Sequence, residues 1–171
     1  GHVKWKGNGF YYTRYPEQKE KYLTGISINP ALYYHKLGTK QENDILIYKE
    51  AGHGQSIITF DVIGNGQYLV VNSMQVGSPN AETKIFFSRL LQPVASKLDT
   101  LLVTKKQNSF DVVGLLNNKI VVNTTMDAPH GRLLTFDMQQ PNMADELVHE
   151  YKDILLDAAI IGNKLVCKYL K

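Results

Sequence analysis

The chain has 171 residues, 43% of them apolar and 20% charged, a balance that suits one globular domain and not a disordered one. Its net charge of +3 is spread along the chain, so there is no basic stripe for nucleic acid and no cationic face for a membrane surface. No apolar run reaches the roughly 18 residues of a spanning helix, no signal peptide is visible, and a single cysteine, Cys167, excludes an intramolecular disulfide.

In chain order, the first signal is Asn8-Gly9 followed by the aromatic run Phe10-Tyr11-Tyr12. Asn-Gly between apolar runs predicts a type I′ hairpin turn, whose two central residues both need positive φ. Asn65-Gly66 precedes Tyr68-Leu69-Val70-Val71, Asn117-Asn118 precedes Ile120-Val121-Val122, and Gly162-Asn163 precedes Leu165-Val166-Cys167. Each turn follows an apolar run: Val3 to Trp5, Ile57 to Ile63, Phe110 to Leu116, and Ile154 to Ile161. After each of the first three hairpins comes a third run: Leu32 to Leu37, Ile85 to Leu90, or Leu133 to Met138. A fourth run then follows an acidic residue: Asp44 before Ile45 to Tyr48, Asp99 before Leu101 to Val103, Asp145 before Leu147 to His149. These runs are short, β-branched or aromatic, and bounded by Gly, Pro, Asn and Asp, which reads as strands. The best helical stretch, Leu90 to Leu102, contains Pro93, which sits badly inside a helix.

The unit is strand, turn, strand, loop, strand, turn, strand. Four antiparallel strands repeated in this way make a propeller blade. The fold expected is all-β: a β-propeller fragment of about three and a half four-stranded blades, roughly 2–50, 56–104, 109–151 and an incomplete 154–171. A β-sandwich, which also spaces short strands regularly, is the alternative. An open arc of blades leaves faces and strand edges unpaired, and a head-to-tail homodimer is one way to complete the ring.

Catalytic chemistry is hard to find. The nucleophile elbow Gly-x-Ser-x-Gly does not occur; Gly25-Ile26-Ser27 and Gly54-Gln55-Ser56 each lack the last glycine. The histidines His2, His35, His53, His130 and His149 form no metal-ligand spacing, so no metal site and no cofactor are expected. His53 and His130 read as turn residues, and His35 as a structural or surface strand residue. Glu17/Glu20 and Asp153/Asp157 pair only on a helix, which neither stretch supports. Cys167 alternates with Lys168 and shares a face with Leu165 and Tyr169, as a small packed residue does. Adjacent Tyr11-Tyr12 and Tyr33-Tyr34 point to opposite faces of their strands, so one of each pair meets a neighbouring blade.

Gly7-Asn8-Gly9-Phe10-Tyr11-Tyr12-Thr13-Arg14-Tyr15-Pro16, Leu32-Tyr33-Tyr34-His35-Lys36-Leu37-Gly38-Thr39 and Asn43-Asp44-Ile45-Leu46-Ile47-Tyr48 follow in an order that resembles the first part of the propeller of the prolyl oligopeptidase family of serine peptidases. The resemblance implies a seven-bladed propeller capping an α/β-hydrolase domain that carries the Ser, Asp and His of the triad. It implies that this chain, without that domain, is inactive, and that its role is to gate access for short proline-containing peptides. The parent would be a prolyl endopeptidase, with its compartment open between cytoplasm and periplasm. Gly1-His2 reads as an appended leader on a domain of a longer protein, whose gene would run on past Lys171 to a Gly-x-Ser-x-Gly.

Strand starts and the connections between second and third strands share one end of each blade. In the family that end of the second blade faces the hydrolase cavity, which makes Ile57, Met74, Gln75 and Gly77 the substrate-side candidates. Ile57 or Met74 would suit an apolar subsite wall. The family often has an Arg near Met74 that bonds a substrate carbonyl, whereas this chain reads Asn72-Ser73-Met74-Gln75-Val76. The long Pro16–Pro30 connection is a second candidate for contact with the hydrolase domain or for a gate. The reading from another class is a stand-alone propeller-like module that binds proteins or glycans.

Overall fold

The strand runs fold as successive antiparallel meanders. The computed structural model describes residues 2–15, 30–51, 55–77, 81–105 and 108–171. Glu17, Glu20, Ser27 and most of the Pro16–Pro30 connection lie outside the described residues, as do His53 and Gly54. The first sheet contains β1 (Val3–Lys6), β2 (Gly9–Arg14), β3 (Ala31–Lys36) and β4 (Ile45–Lys49). The second contains β5 (Gln55–Ile63), β6 (Tyr68–Val76), β7 (Thr83–Arg89) and β8 (Asp99–Thr104). The third contains β9 (Phe110–Leu116), β10 (Lys119–Thr124), β11 (Arg132–Phe136) and β12 (Ala144–Val148). A last hairpin pairs β13 (Ile154–Ile161) with β14 (Lys164–Leu170). In every sheet the strand order is the chain order, as in propeller blades, and the helical content of the described residues is one 3-10 turn at Gln41–Asn43.

The three complete sheets share a further detail. The register shifts between third and fourth strands in each, at Leu32/Tyr33, Ile85/Phe86 and Leu133/Leu134. Such a bulge bends the strand and increases its twist, which splays the outer strand of a blade.

The hairpin turns depart from expectation. Only Asn117 and Asn118, at φ 49° and 64°, form a two-residue turn with positive φ at both central positions. In the first hairpin Lys6 pairs with Gly9, so the turn residues are Gly7 and Asn8, and Gly7 alone has positive φ, 60°. That is the type II′ pattern. Gly9 is therefore a strand residue, and a Cβ there would lie 2.1 Å from the His35 carbonyl oxygen and 2.6 Å from the Tyr34 hydroxyl. It is glycine for space, not for turning. Gly162 likewise carries the positive φ of the last turn, while Asn65-Gly66 belongs to a longer connection between the paired Ile63 and Tyr68.

The core lies between sheets, because each strand alternates its side chains between two faces. Tyr11, Leu32 and Tyr34 of the first sheet pack on Ile58, Phe60 and Val71 of the second. The other face of the second sheet, with Val70, Ile85 and Phe87, meets Phe110, Ile120 and Phe136 of the third. Val121 and Leu133 of the third sheet meet Leu155 of the last hairpin, with Leu165 and Cys167 against them. Each fully buried side chain of this kind stabilises by about 1.5–3 kcal/mol. Polar clasps follow the same order: Asn72 Nδ2 donates to the Phe110 carbonyl at 2.9 Å, and the Leu155 amide donates to the His130 carbonyl at 2.7 Å. Among the described residues the outermost faces have no cover. Trp5 is 62% exposed at one end of the array and Val166 50% at the other.

Candidate functional site

Ile57 and Met74 are direct cross-strand partners in the β5–β6 hairpin. A hairpin pairs residues that are symmetric about its turn, so a residue near the start of β5 must meet one near the end of β6. By alternation both lie on the face that carries Asn72 and Ile85, the side toward the third sheet. Ile57 is 49% exposed and Met74 half-buried, and Thr83 of β7 completes the row beside Met74. An apolar pair with an exposed edge, at the end of the sheet where the β6–β7 connection leaves, offers a wall for an apolar group.

Gln75 lies on the opposite face, opposite Ser56. Its backbone amide donates to the Glu82 carbonyl at 2.9 Å, and its side-chain Oε1 accepts from the Glu82 amide at 3.2 Å. Gln75 thus closes the base of the β6–β7 connection. Gly77 opens that connection with φ 78°, and among the described residues a Cβ there would meet nothing within 4 Å, so the constraint they show is the left-handed backbone. The structure joins Ile57 to Met74, and it sets Gln75 and Gly77 in the loop base behind them.

Sequence reasoning missed Glu50. It follows the last strand of the first sheet, but its carboxylate is only 3% exposed and is held by the second sheet. Ser73 Oγ donates to Oε2 at 2.6 Å, Lys84 Nζ to Oε1 at 2.9 Å, and Gln75 Nε2 to Oε1 at 3.4 Å. Tyr48 OH donates to Oε2 at 2.5 Å. Burial alone would push the Glu50 carboxyl up; hydrogen bonds from Ser73, Tyr48 and Lys84 outweigh it and hold it below the usual carboxylate value. The hydrogen bond to Glu50 in turn holds the Lys84 ammonium above its ordinary range. Burial, and then the bond to Glu50, push the Tyr48 phenol upward. No sequence signal marks it: Tyr48 stands two residues before it, and its other partners belong to the next sheet.

The other candidates are structural. His35 Nδ1 lies 2.6 Å from Asp44 Oδ1, and the Tyr12 hydroxyl donates to the other oxygen of that fully buried carboxylate. The acidic residue before the fourth strand thus ties three strands of the first sheet together. His130 sits in a turn with its amide bonded to Glu150 at 2.6 Å. Cys167 packs on the third sheet, and burial raises its thiol, which makes it a poor nucleophile. Asp157 lies in β13 beside a bulge, so it forms no helical pair with Asp153. Among the described residues no group of three or more His, Cys, Asp or Glu is placed to hold a metal ion.

Comparison with known proteins gives this arrangement a family. A family model described as the prolyl oligopeptidase N-terminal beta-propeller domain matches residues 1–171. The chain is 26% identical to prolyl oligopeptidase A of Galerina marginata over 91% of its own length and 22% of that protein's. It is 26% identical to the prolyl endopeptidase of Elizabethkingia meningoseptica over 92% of its length and 21% of that protein's. A chain from a structural and mechanistic study of two prolyl endopeptidases superposes with a TM-score of 0.82 at 20% identity, covering 99% of this chain and 24% of that one. Prolyl oligopeptidase B from Galerina marginata, bound to a 35mer hydrolysis and macrocyclization substrate, superposes with a TM-score of 0.78 at 23% identity, over 98% and 24% of the two chains. At these identities the solved structures establish the fold, and the chain spans under a quarter of the length of these relatives. With the family match running over its whole length, the chain belongs to the prolyl oligopeptidase family and corresponds to its N-terminal β-propeller domain.

Proposed function

We propose that this chain is the part of a prolyl endopeptidase propeller that limits which peptides reach a catalytic centre on another domain. The match of the propeller family over residues 1–171 carries the reading. The units near 2–50, 56–104, 109–151 and 154–171 are blades of a seven-bladed ring. An α/β-hydrolase domain of the same parent chain supplies the serine, aspartate and histidine, and short proline-containing peptides are the substrates. Ile57 and Met74 form an apolar wall toward the peptide, with Gln75 and Gly77 shaping the connection beside it. The exposed faces at Trp5 and Val166 take further blades of the parent as cover, in preference to a second copy, since the relatives are about four times longer than this chain.

The test is a chromogenic peptide assay with proline before the scissile bond. The full-length gene product turns it over and a serine-directed inhibitor stops it, while the 171-residue chain alone does not. Inhibitor-sensitive turnover by the short chain would refute the inert role. A gene that ends near Lys171 would refute the peptidase reading in favour of a stand-alone binding module. Light scattering of the short chain settles the homodimer.

A further inference from the structure

We infer that Glu50, a residue of the first sheet's exit, is a positioning residue for the segments Ser73–Gln75 and Glu82–Lys84 of the second sheet and so for the peptide-facing pair Ile57 and Met74. The inference rests on the proposed peptidase reading and deepens it.

The geometry runs through Gln75. One end of its side chain accepts from the Glu82 amide at 3.2 Å, across the base of the connection. The other end reaches Glu50 Oε1 at 3.4 Å, and Lys84, two residues beyond Glu82, binds the same oxygen at 2.9 Å. Ser73 fixes the other carboxylate oxygen from the strand that enters the connection. Glu50 therefore grips both the strand entering the connection and the strand leaving it. A carboxylate offers about four acceptor positions, and four donors fill them. This is a satisfied buried charge, which is held far more firmly than an exposed ion pair. Met74 sits between Ser73 and Gln75, so its place on the far face of β6 is set by two residues that Glu50 holds. Ile57 follows as the register partner of Met74.

The experiment uses the full-length protein and three variants: Glu50→Gln, Lys84→Met and Lys84→Arg. Two readouts are taken. Hydrogen exchange is followed at the Gln75 and Glu82 amides, and kcat and KM are measured on a short chromogenic prolyl peptide. Expected is at least about tenfold faster exchange at both amides in Glu50→Gln and Lys84→Met, with protection elsewhere in the first and third sheets unchanged. KM rises about fivefold to tenfold with kcat within about twofold, as when ground-state and transition-state binding are lost together. Lys84→Arg keeps a charged donor and stays close to wild type. Unchanged exchange in both disruptive variants overturns the grip on the connection. Faster exchange with unchanged KM overturns the positioning role while leaving the peptidase reading intact. Absence of turnover by the wild-type protein sinks the peptidase reading itself and the substrate half of this inference with it.

Discussion

The hydroxyl of Tyr11, in the first sheet, donates to the Pro93 carbonyl of the second at 2.7 Å. It also accepts from the Ala95 amide at 2.9 Å. Pro93 in turn lies over the first hairpin, close enough that a Cβ on Gly7 would come within 2.6 Å of its ring. The β7–β8 connection of one blade is thus fastened onto the turn of the blade before it. Tyr11 itself is fully buried and stacks edge-on with Tyr34, the ring centroids 5.0 Å apart.

Replacing Tyr11 by Phe keeps the ring and leaves two backbone groups without their partner. The expected cost is about 1–3 kcal/mol in urea unfolding, since unpaired buried polar groups carry their desolvation penalty. The variant also changes the alkaline limb. Burial pushes the Tyr11 phenol up to about 12 despite the bond from Ala95, against an ordinary 10.0. A folded-state value above the unfolded one means stability that is whole below pH 10 and is lost as pH climbs toward 12. Tyr11→Phe should flatten that loss in part, leaving the contribution of Tyr48, whose phenol burial also raises. An alkaline profile unchanged by the substitution would contradict this account.

At acid pH the sensitive group is Glu50. Its carboxyl is held below the usual 4.5, so its contribution is present above that value and disappears as pH falls through the lower folded-state value. Glu50→Gln should lose part of this acid dependence. Glu50→Ala should cost about 2–3 kcal/mol at neutral pH, because it leaves Lys84 only its longer 3.7 Å pairing with Glu82 and takes the acceptor from three neutral donors. Thermal unfolding from pH 3 to 8 measures both, with about in-step melting of wild type and Glu50→Gln as the contrary result.

Two glycines separate crowding from backbone conformation. Gly9→Ala places a methyl on the His35 carbonyl oxygen, a backbone atom that cannot swing away, and should cost more than about 3 kcal/mol or abolish soluble expression. Gly77→Ala meets no atom among the described residues and should cost what a left-handed φ of 78° costs, about 1–2 kcal/mol. Equal effects in chemical denaturation would mean that the first β2–β3 pairing yields where the geometry says it cannot.

The sequence made the strands legible because alternation and turn residues are local signals. Phe110–Leu116 and Ile154–Ile161 fold with the very ends that their apolar runs suggested. Asn8-Gly9 reads as the turn because Asn-Gly names a turn without saying which neighbour bends; the two turn residues are Gly7 and Asn8, one residue earlier. Ile57 is legible as a strand start, whereas the sequence places Met74 and Gln75 in the following connection; β6 runs on to Val76, and the hairpin register makes Met74 the partner of Ile57. Glu50 was not legible at all. Its partners Ser73, Gln75 and Lys84 stand 23, 25 and 34 residues away and belong to the next sheet. No local pattern announces a contact made only when two blades stack.

Ile57 is where stability and function should part company. At 49% exposure its side chain contributes only part of the burial energy of a core isoleucine, so Ile57→Ala should cost no more than about 1 kcal/mol. Its buried neighbour on the other face gives the contrast: Ile58 is 8% exposed between the first and second sheets, and Ile58→Ala should cost about 2–5 kcal/mol. If Ile57 and Met74 wall a peptide subsite, Ile57→Ala raises KM for a proline peptide with an apolar neighbouring residue by about threefold to tenfold and leaves kcat nearly unchanged. Ile58→Ala lowers the melting temperature and moves KM little in the folded fraction. A KM that follows stability across the two variants, and not the face of β5 on which the change is made, would remove Ile57 from the substrate side.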